Sequence, residues 1–216
     1  KKREKIREAT EQGISGQVNW VAKGGWTNFT IIHSETRPDM IGKMFCDLSQ
    51  SENRPEFDIA ADLFITEKKS AVISLSTMDE SDVRLAMQQE FVMISSDGNA
   101  VSPQSGHVHP RNYGSFTRVL RKYVREEGIL SLPEAVRKMT SLPAQLLRLK
   151  DRGLLKPGYI ADLVIFDQGQ VADQAEFLDP HQYSKGISYV IINGRISWDK
   201  RGPTSSLNGK VLLHTH

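Results

Sequence analysis

One cysteine, Cys46, in 216 residues leaves no internal disulfide and no cysteine-rich zinc site. It suits a reducing compartment, and a cytoplasmic location is expected. No apolar run approaches the ~20 residues a membrane span needs, and no signal peptide is seen, so no membrane partner is expected. Charge of one sign is lacking too. Lys and Arg number 28 against 26 Asp and Glu, for a net charge of +2. The basic residues are spread along the chain, which speaks against a nucleic-acid partner. The KKREK cluster at the start reads as a solvated helix face. There is no glycine-rich phosphate loop, no G-x-S-x-G elbow and no C-x-x-C pair. The chain opens on Lys in mid-helix character and is expected to be part of something longer.

What is present fits a soluble globular protein of one large or two small domains: 38% hydrophobic and 25% charged residues. Residues 1–25 begin as a charged helix, and 26–34 (WTNFTIIHS) read as a β-branched, aromatic strand. Residues 53–70 read as a helix with Pro55 near its start, acids early, lysines late, and a stripe of Ile59, Ala60, Leu63 and Phe64. A β-α-β cadence follows. AVISLST (71–77) and FVMISS (91–96) are near-continuously apolar, as strands of a covered parallel sheet tend to be, with a helix (78–89) between them. The fold class expected is therefore α/β. Residues 97–113 form a loop rich in Gly, Pro, Ser and His. Helical spacing returns over 114–128, where Gly128 stops it. Ser131 and Glu134 make a capping box for 131–139, and 141–149 repeats the pattern. Residues 151–167 and 186–199 read as strands, with a hairpin at Asn193-Gly194.

In parallel α/β sheets, chemistry gathers at the C-terminal ends of strands. Asp97 follows VMISS at such a place. A carboxylate there can be a general base or bind a metal, although Ser-Asp-Gly is also an ordinary turn sequence. His107 and His109, spaced i, i+2, can hold a metal or simply pack. Arg111, behind the stiff Pro110, can grip a substrate carboxylate bidentately or form a structural salt bridge. His33 and Cys46 have no partner at ligand spacing and read as structural. The three tryptophans read as core or interface.

The strings SSDG…HPRNYGSF, RKMTSLPA and GYIADLVIFD, with ISYVIINGRI after them, resemble the C-terminal part of the D-aminoacylases, N-acyl-D-amino-acid deacylases of the amidohydrolase superfamily. The resemblance runs from about residue 70 to 216. It implies the C-terminal portion of a (β/α)8 barrel plus a small β-sandwich segment. Residues 1–69 would be a segment inserted before the seventh barrel strand, 70–150 the last β/α units, and 151–216 sandwich strands. Asp97 would then match the aspartate that moves a proton from the hydrolytic water to the leaving amine. Arg111 would hold the substrate's α-carboxylate, His109 would position, and Met78 would wall the substrate side chain. Zinc is implied for the complete enzyme, with its ligands upstream and none within this chain.

A complete barrel takes ~250 residues, and the family's sandwich borrows N-terminal strands. The chain is therefore expected to pack against the N-terminal part of the same barrel, or to self-associate, and to be inactive alone. Two other readings stand beside this one: an inactive fragment or truncated paralogue without metal ligands, and an amidohydrolase acting on cyclic amides or dipeptides. The string NAVSPQSGHV in the loop over 98–108 departs from the family pattern and bears on substrate choice.

Overall fold

The computed structural model describes residues 1–68 and 71–212. Lys69 and Ser70, where the helix over 53–70 and the 69/70 boundary were expected to end, lie outside the described residues, as does 213–216 of the expected sandwich segment. Contacts divide the chain into two compact units, Lys1–Asp79 and Glu80–His216.

The first unit contains α1 (Lys2–Gln12), α2 (Trp20–Gly24), β1 (Phe29–His33), α3 (Phe45–Glu52), α4 (Glu56–Glu67) and β2 (Val72–Leu75). Its core joins Phe29, Ile31, Met40, Phe45, Leu48, Ile59 and Leu63, with Trp26 against Phe29 and Phe45. α4 buries Phe57, Ile59, Ala60, Leu63 and Glu67. Phe64 falls at the margin of that stripe and stays 42% exposed, contrary to the sequence reading. Glu67 is buried with its carboxylate accepting from the turn after β1: the Ser34 hydroxyl donates at 2.5 Å and the Thr36 N–H at 2.7 Å. Arg3 and Arg7 of α1 bind Asp58 of α4.

Of the expected strand 71–77, Val72–Leu75 form one, but its partner corrects the expectation of a parallel sheet. β2 pairs antiparallel with β1, with Phe29 opposite Leu75 and Ile31 opposite Ile73. A strand takes the neighbour within reach, and inside this unit that neighbour is β1.

The second unit contains α5 (Glu80–Gln88), α6 (Arg111–Arg118), α7 (Leu132–Met139), α8 (Ser141–Leu146) and the strands β3 (Leu163–Phe166), β4 (Ile187–Ile192), β5 (Arg195–Asp199) and β6 (Gly202–Pro203). The strands make one antiparallel sheet in sequence order. Asn193 and Gly194, both with positive φ (49° and 76°), form the expected tight hairpin between β4 and β5. The Ser131 hydroxyl caps α7 by accepting the Glu134 N–H at 3.3 Å. Beyond α6 the winding loosens over Val119–Glu126 into a π-helix, seen in the Glu127 N–H to Lys122 C=O bond of 2.8 Å. That stretch delivers Val119, Leu120 and Tyr123 to the core beside Leu130, Ala135 and Val171. Gly128, at φ 65°, ends it.

FVMISS (91–96), expected as a strand, begins in a turn at Phe91 and runs on without strand pairing. A strand needs a lateral neighbour for its backbone groups; here α7 takes that place. The Ile94 N–H donates to the Lys138 carbonyl at 3.1 Å. Lys138, with a fully buried side chain, sends its ammonium to the carbonyls of Gln89 and Val92, the latter at 3.0 Å. Arg137 donates to the Glu90 carbonyl at 2.6 Å.

The junction of sheet and helices is tight at Gly186. It has φ 78°, and a β-carbon there would stand 2.5 Å from the Val171 nitrogen. Gly186→Ala is expected to cost about 3 kcal/mol, as both strain and a backbone clash would act. Urea unfolding checks this; a loss below about 1 kcal/mol would contradict the packing described.

Candidate active site

The segment held by α7 leads to Asp97, whose φ of 49° lies in the left-handed region that Asp tolerates better than most residues. The turn is held by side chains from both ends. Ser96 accepts the Gly98 N–H at 3.1 Å, and Asn112 of α6 accepts the Asn99 N–H at 2.9 Å. Gly98 allows the approach: a β-carbon there would stand 3.2 Å from the Arg111 carbonyl and from the Asn112 Cα. The loop therefore lies directly against the first turn of α6.

That contact brings two of the expected site residues together. Arg111, first residue of α6, places Nη1 at 2.9 Å from Asp97 Oδ2. The Asp97 side chain is 82% exposed and the Arg111 side chain 40%. His109 sits two residues before Arg111, and its Nδ1 accepts the Arg111 N–H at 3.0 Å. The ring stands edge-on to Phe177 with centroids 5.0 Å apart. Its pKa is held below the ordinary value, first by desolvation and then by the Arg111 charge, with Asp97 opposing. A neutral ring is what the bond requires, because Nδ1 must stay unprotonated to accept. Met78 belongs to the N-terminal unit and is 75% exposed.

On the other side of Arg111 is a cavity of about 580 Å³, lined by His109, Arg111, Arg118, Asp173, Phe177 and Leu178 among others. Asp97 is not in its lining. Asp173 reaches α6 because Gly114 has no side chain; a β-carbon there would come within 2.8 Å of the Asp173 Cβ. Asp173 binds Arg121 at 2.6 Å and Arg118 at 3.6 Å. Burial acts to raise the Asp173 pKa, but the Arg121 hydrogen bond and charge overcome it and leave it below the usual carboxylate range. Sequence reading missed this wall. Arg118 was within reach of it, seven residues after Arg111 on one helix face. Asp173 and Phe177 carry no local signal, since only the fold brings them back to α6.

Pro110 and Arg111 open a helix, so the guanidinium is fixed at its base, and five N–H donors leave it able to meet a second carboxylate beside Asp97. Among the described residues no three His, Cys, Asp or Glu side chains cluster as metal ligands.

The description "Amidohydrolase family" belongs to the family model that matches residues 68–197. An N-acyl-D-aspartate deacylase of Alcaligenes xylosoxydans xylosoxydans is 39% identical over 182 residues, 84% of this chain and 35% of the relative. An N-acyl-D-glutamate deacylase of the same organism is 46% identical over 135 residues, 62% of this chain and 27% of the relative. The crystal structure of an N-acyl-D-glutamate deacylase from Bordetella bronchiseptica, complexed with zinc and a phosphonate inhibitor, matches with TM-score 0.68 at 34% identity. It covers 86% of this chain and 37% of that one. The chain thus spans about a third of the length of the relatives it matches. These are the deacylases that the strings around Asp97 and Arg111 resemble.

His109 should titrate below 6.5 in an NMR pH series. Phe177→Ala, which opens the ring to water, should move the midpoint upward. A midpoint at or above 6.5 in the parent protein would refute the neutral-acceptor role.

Proposed function

The chain belongs to the amidohydrolase family, and on that premise we propose that it supplies the C-terminal part of a metal-dependent enzyme hydrolysing the amide bond of N-acyl-D-amino acids. The observation that carries this reading is the Asp97–Arg111 pair at 2.9 Å, within a stretch whose relatives are deacylases. In this reading residues 70–150 are the last β/α units of a barrel, 1–69 an insertion before the seventh strand, and 151–216 strands of a small sandwich. The matching D-glutamate deacylase structure supports it.

Each residue then has a task. Asp97 moves a proton between the hydrolytic water and the departing amine. Arg111 binds the substrate's α-carboxylate through donors not used by Asp97. His109, neutral, fixes the Arg111 backbone and so the start of α6. Met78 walls the substrate side chain. The described residues do not by themselves make a zinc site. In the complete enzyme zinc would be held by residues outside this chain, where it would activate water for attack.

The apolar residues left open fit a chain that packs against more of the same barrel: Phe91 at 78%, Leu155 at 88% and Val164 at 53% exposed. Cytoplasmic placement is part of the proposal, resting on the lone Cys46.

The test uses the complete, metal-loaded protein with N-acyl-D-amino acids, their L-enantiomers and the corresponding carboxamides. Asp97→Asn should lower kcat by about 10²–10⁴-fold. Arg111→Met should raise KM by roughly 10–100-fold and abolish the preference for a free carboxylate. Full turnover by Asp97→Asn, or equal rates on the carboxamides, would sink the assignment.

A further inference from the structure

The string RKMTSLPA has no task in the chemistry just assigned, yet it contains the chain's fully buried lysine. Lys138 lies near the C-terminal end of α7 with none of its surface open to water. Its ammonium donates to the carbonyls of Gln89 and Val92 and lies 3.5 Å from Glu134 Oε1. The Lys138 carbonyl accepts the Ile94 N–H at 3.1 Å, and neighbouring Arg137 holds the Glu90 carbonyl at 2.6 Å while paired to Glu134. Two adjacent cations thus hold the carbonyls of residues 89, 90 and 92, the Lys138 main chain holds Ile94, and Asp97 is three residues further on.

We propose that Lys138, supported by Arg137, is a positioning residue for Asp97: it sets where the segment over residues 89–96 delivers the carboxylate. The inference rests on the reading of Asp97 as the proton-moving group. A buried ammonium is costly unless its donors are used, and here they are spent on the backbone of the segment that carries the acid, not on an acid of the site. Arg111 is anchored separately, by Pro110 and His109 at the start of α6. Disturbing Lys138 should therefore displace Asp97 while leaving the carboxylate grip in place.

Lys138→Met keeps the length of the side chain and removes its donors. In the complete, metal-loaded protein it should lower kcat by ~10–100-fold, the range expected when a reacting group is misplaced by about an ångström, with KM within roughly 3-fold. Lys138→Arg, which keeps charge and donors on a longer stem, should fold as the parent does and lose about 3–10-fold in kcat, again at constant KM. If Lys138→Met does not fold, the arginine variant decides: an unchanged kcat overturns the proposal. In an Asp97→Asn background, Lys138→Met should cost nothing further in kcat, because the group it positions is already gone. A full additional loss there would mean that Lys138 acts elsewhere, and would overturn the proposal while leaving the deacylase reading intact. If Asp97→Asn alone keeps full turnover, that reading fails first and takes this inference with it.

Discussion

A buried ammonium with its donors on main-chain carbonyls is the constraint on which the geometry of the candidate site depends. Within residues 89–96 only Ile94 packs against the core of the second unit, half-buried, while Phe91 stays open. Their backbone groups must still be satisfied, and the segment has no strand beside it in the described structure. Lys138 and Arg137 supply what a neighbouring strand would. The cost of burying the charge is offset by its hydrogen bonds to the Gln89 and Val92 carbonyls and by Glu134 at 3.5 Å, and the same bonds fix the segment. Because Lys138 sits in the last turn of α7, the helix dipole favours its charge there as well. This anchoring sets the approach to Asp97, and the turn at 96–99 with its contacts to Asn112 and Arg111 completes the placement.

The same view explains what was legible in the sequence. Features decided within a few residues were readable: the Ser131 cap, the Asn193-Gly194 hairpin, the stop at Gly128, and the α4 stripe apart from Phe64. Each is a local contest between backbone preference and side-chain chemistry. Where the outcome depended on distant partners, the reading slipped. FVMISS has strand composition and no strand partner. AVISLST has strand composition and a partner of the other orientation. The π-helical winding over Val119–Glu126 reflects packing of Tyr123 and Val119 into a core completed by Val171, far along the chain. No helical periodicity announces that.

The candidate site divides along the same line. Asp97, Arg111 and His109 were legible because they lie in one short stretch, and the resemblance carries their roles. Their meeting at 2.9 Å needs the close approach that Gly98 permits. The cavity beyond Arg111 was illegible, since Asp173 and Phe177 arrive from the connection between β3 and β4. Gly114 is the one hint: a glycine inside a helix is unfavourable for the helix itself, so its presence points to something packed closely upon it. That something is Asp173.

A general base has two requirements, a fixed position and a controlled exchange with water. The described structure meets the first. Asp97 is placed by a strut and a turn, and oriented by Arg111. It does not meet the second, because an 82% exposed carboxylate is surrounded by solvent, and electrostatic interactions in water are a fraction of those in a closed site. The proposed division of labour follows from that difference. This chain carries position in its own contacts, and exclusion of water falls to protein packed over the mouth of the loop. The open apolar side chains of the sheet and of Phe91 ask for the same covering on independent grounds. A surface that needs burial and an acid that needs desolvation both accord with a chain that spans about a third of its relatives' length, and with the proposal that it packs against more of the same barrel.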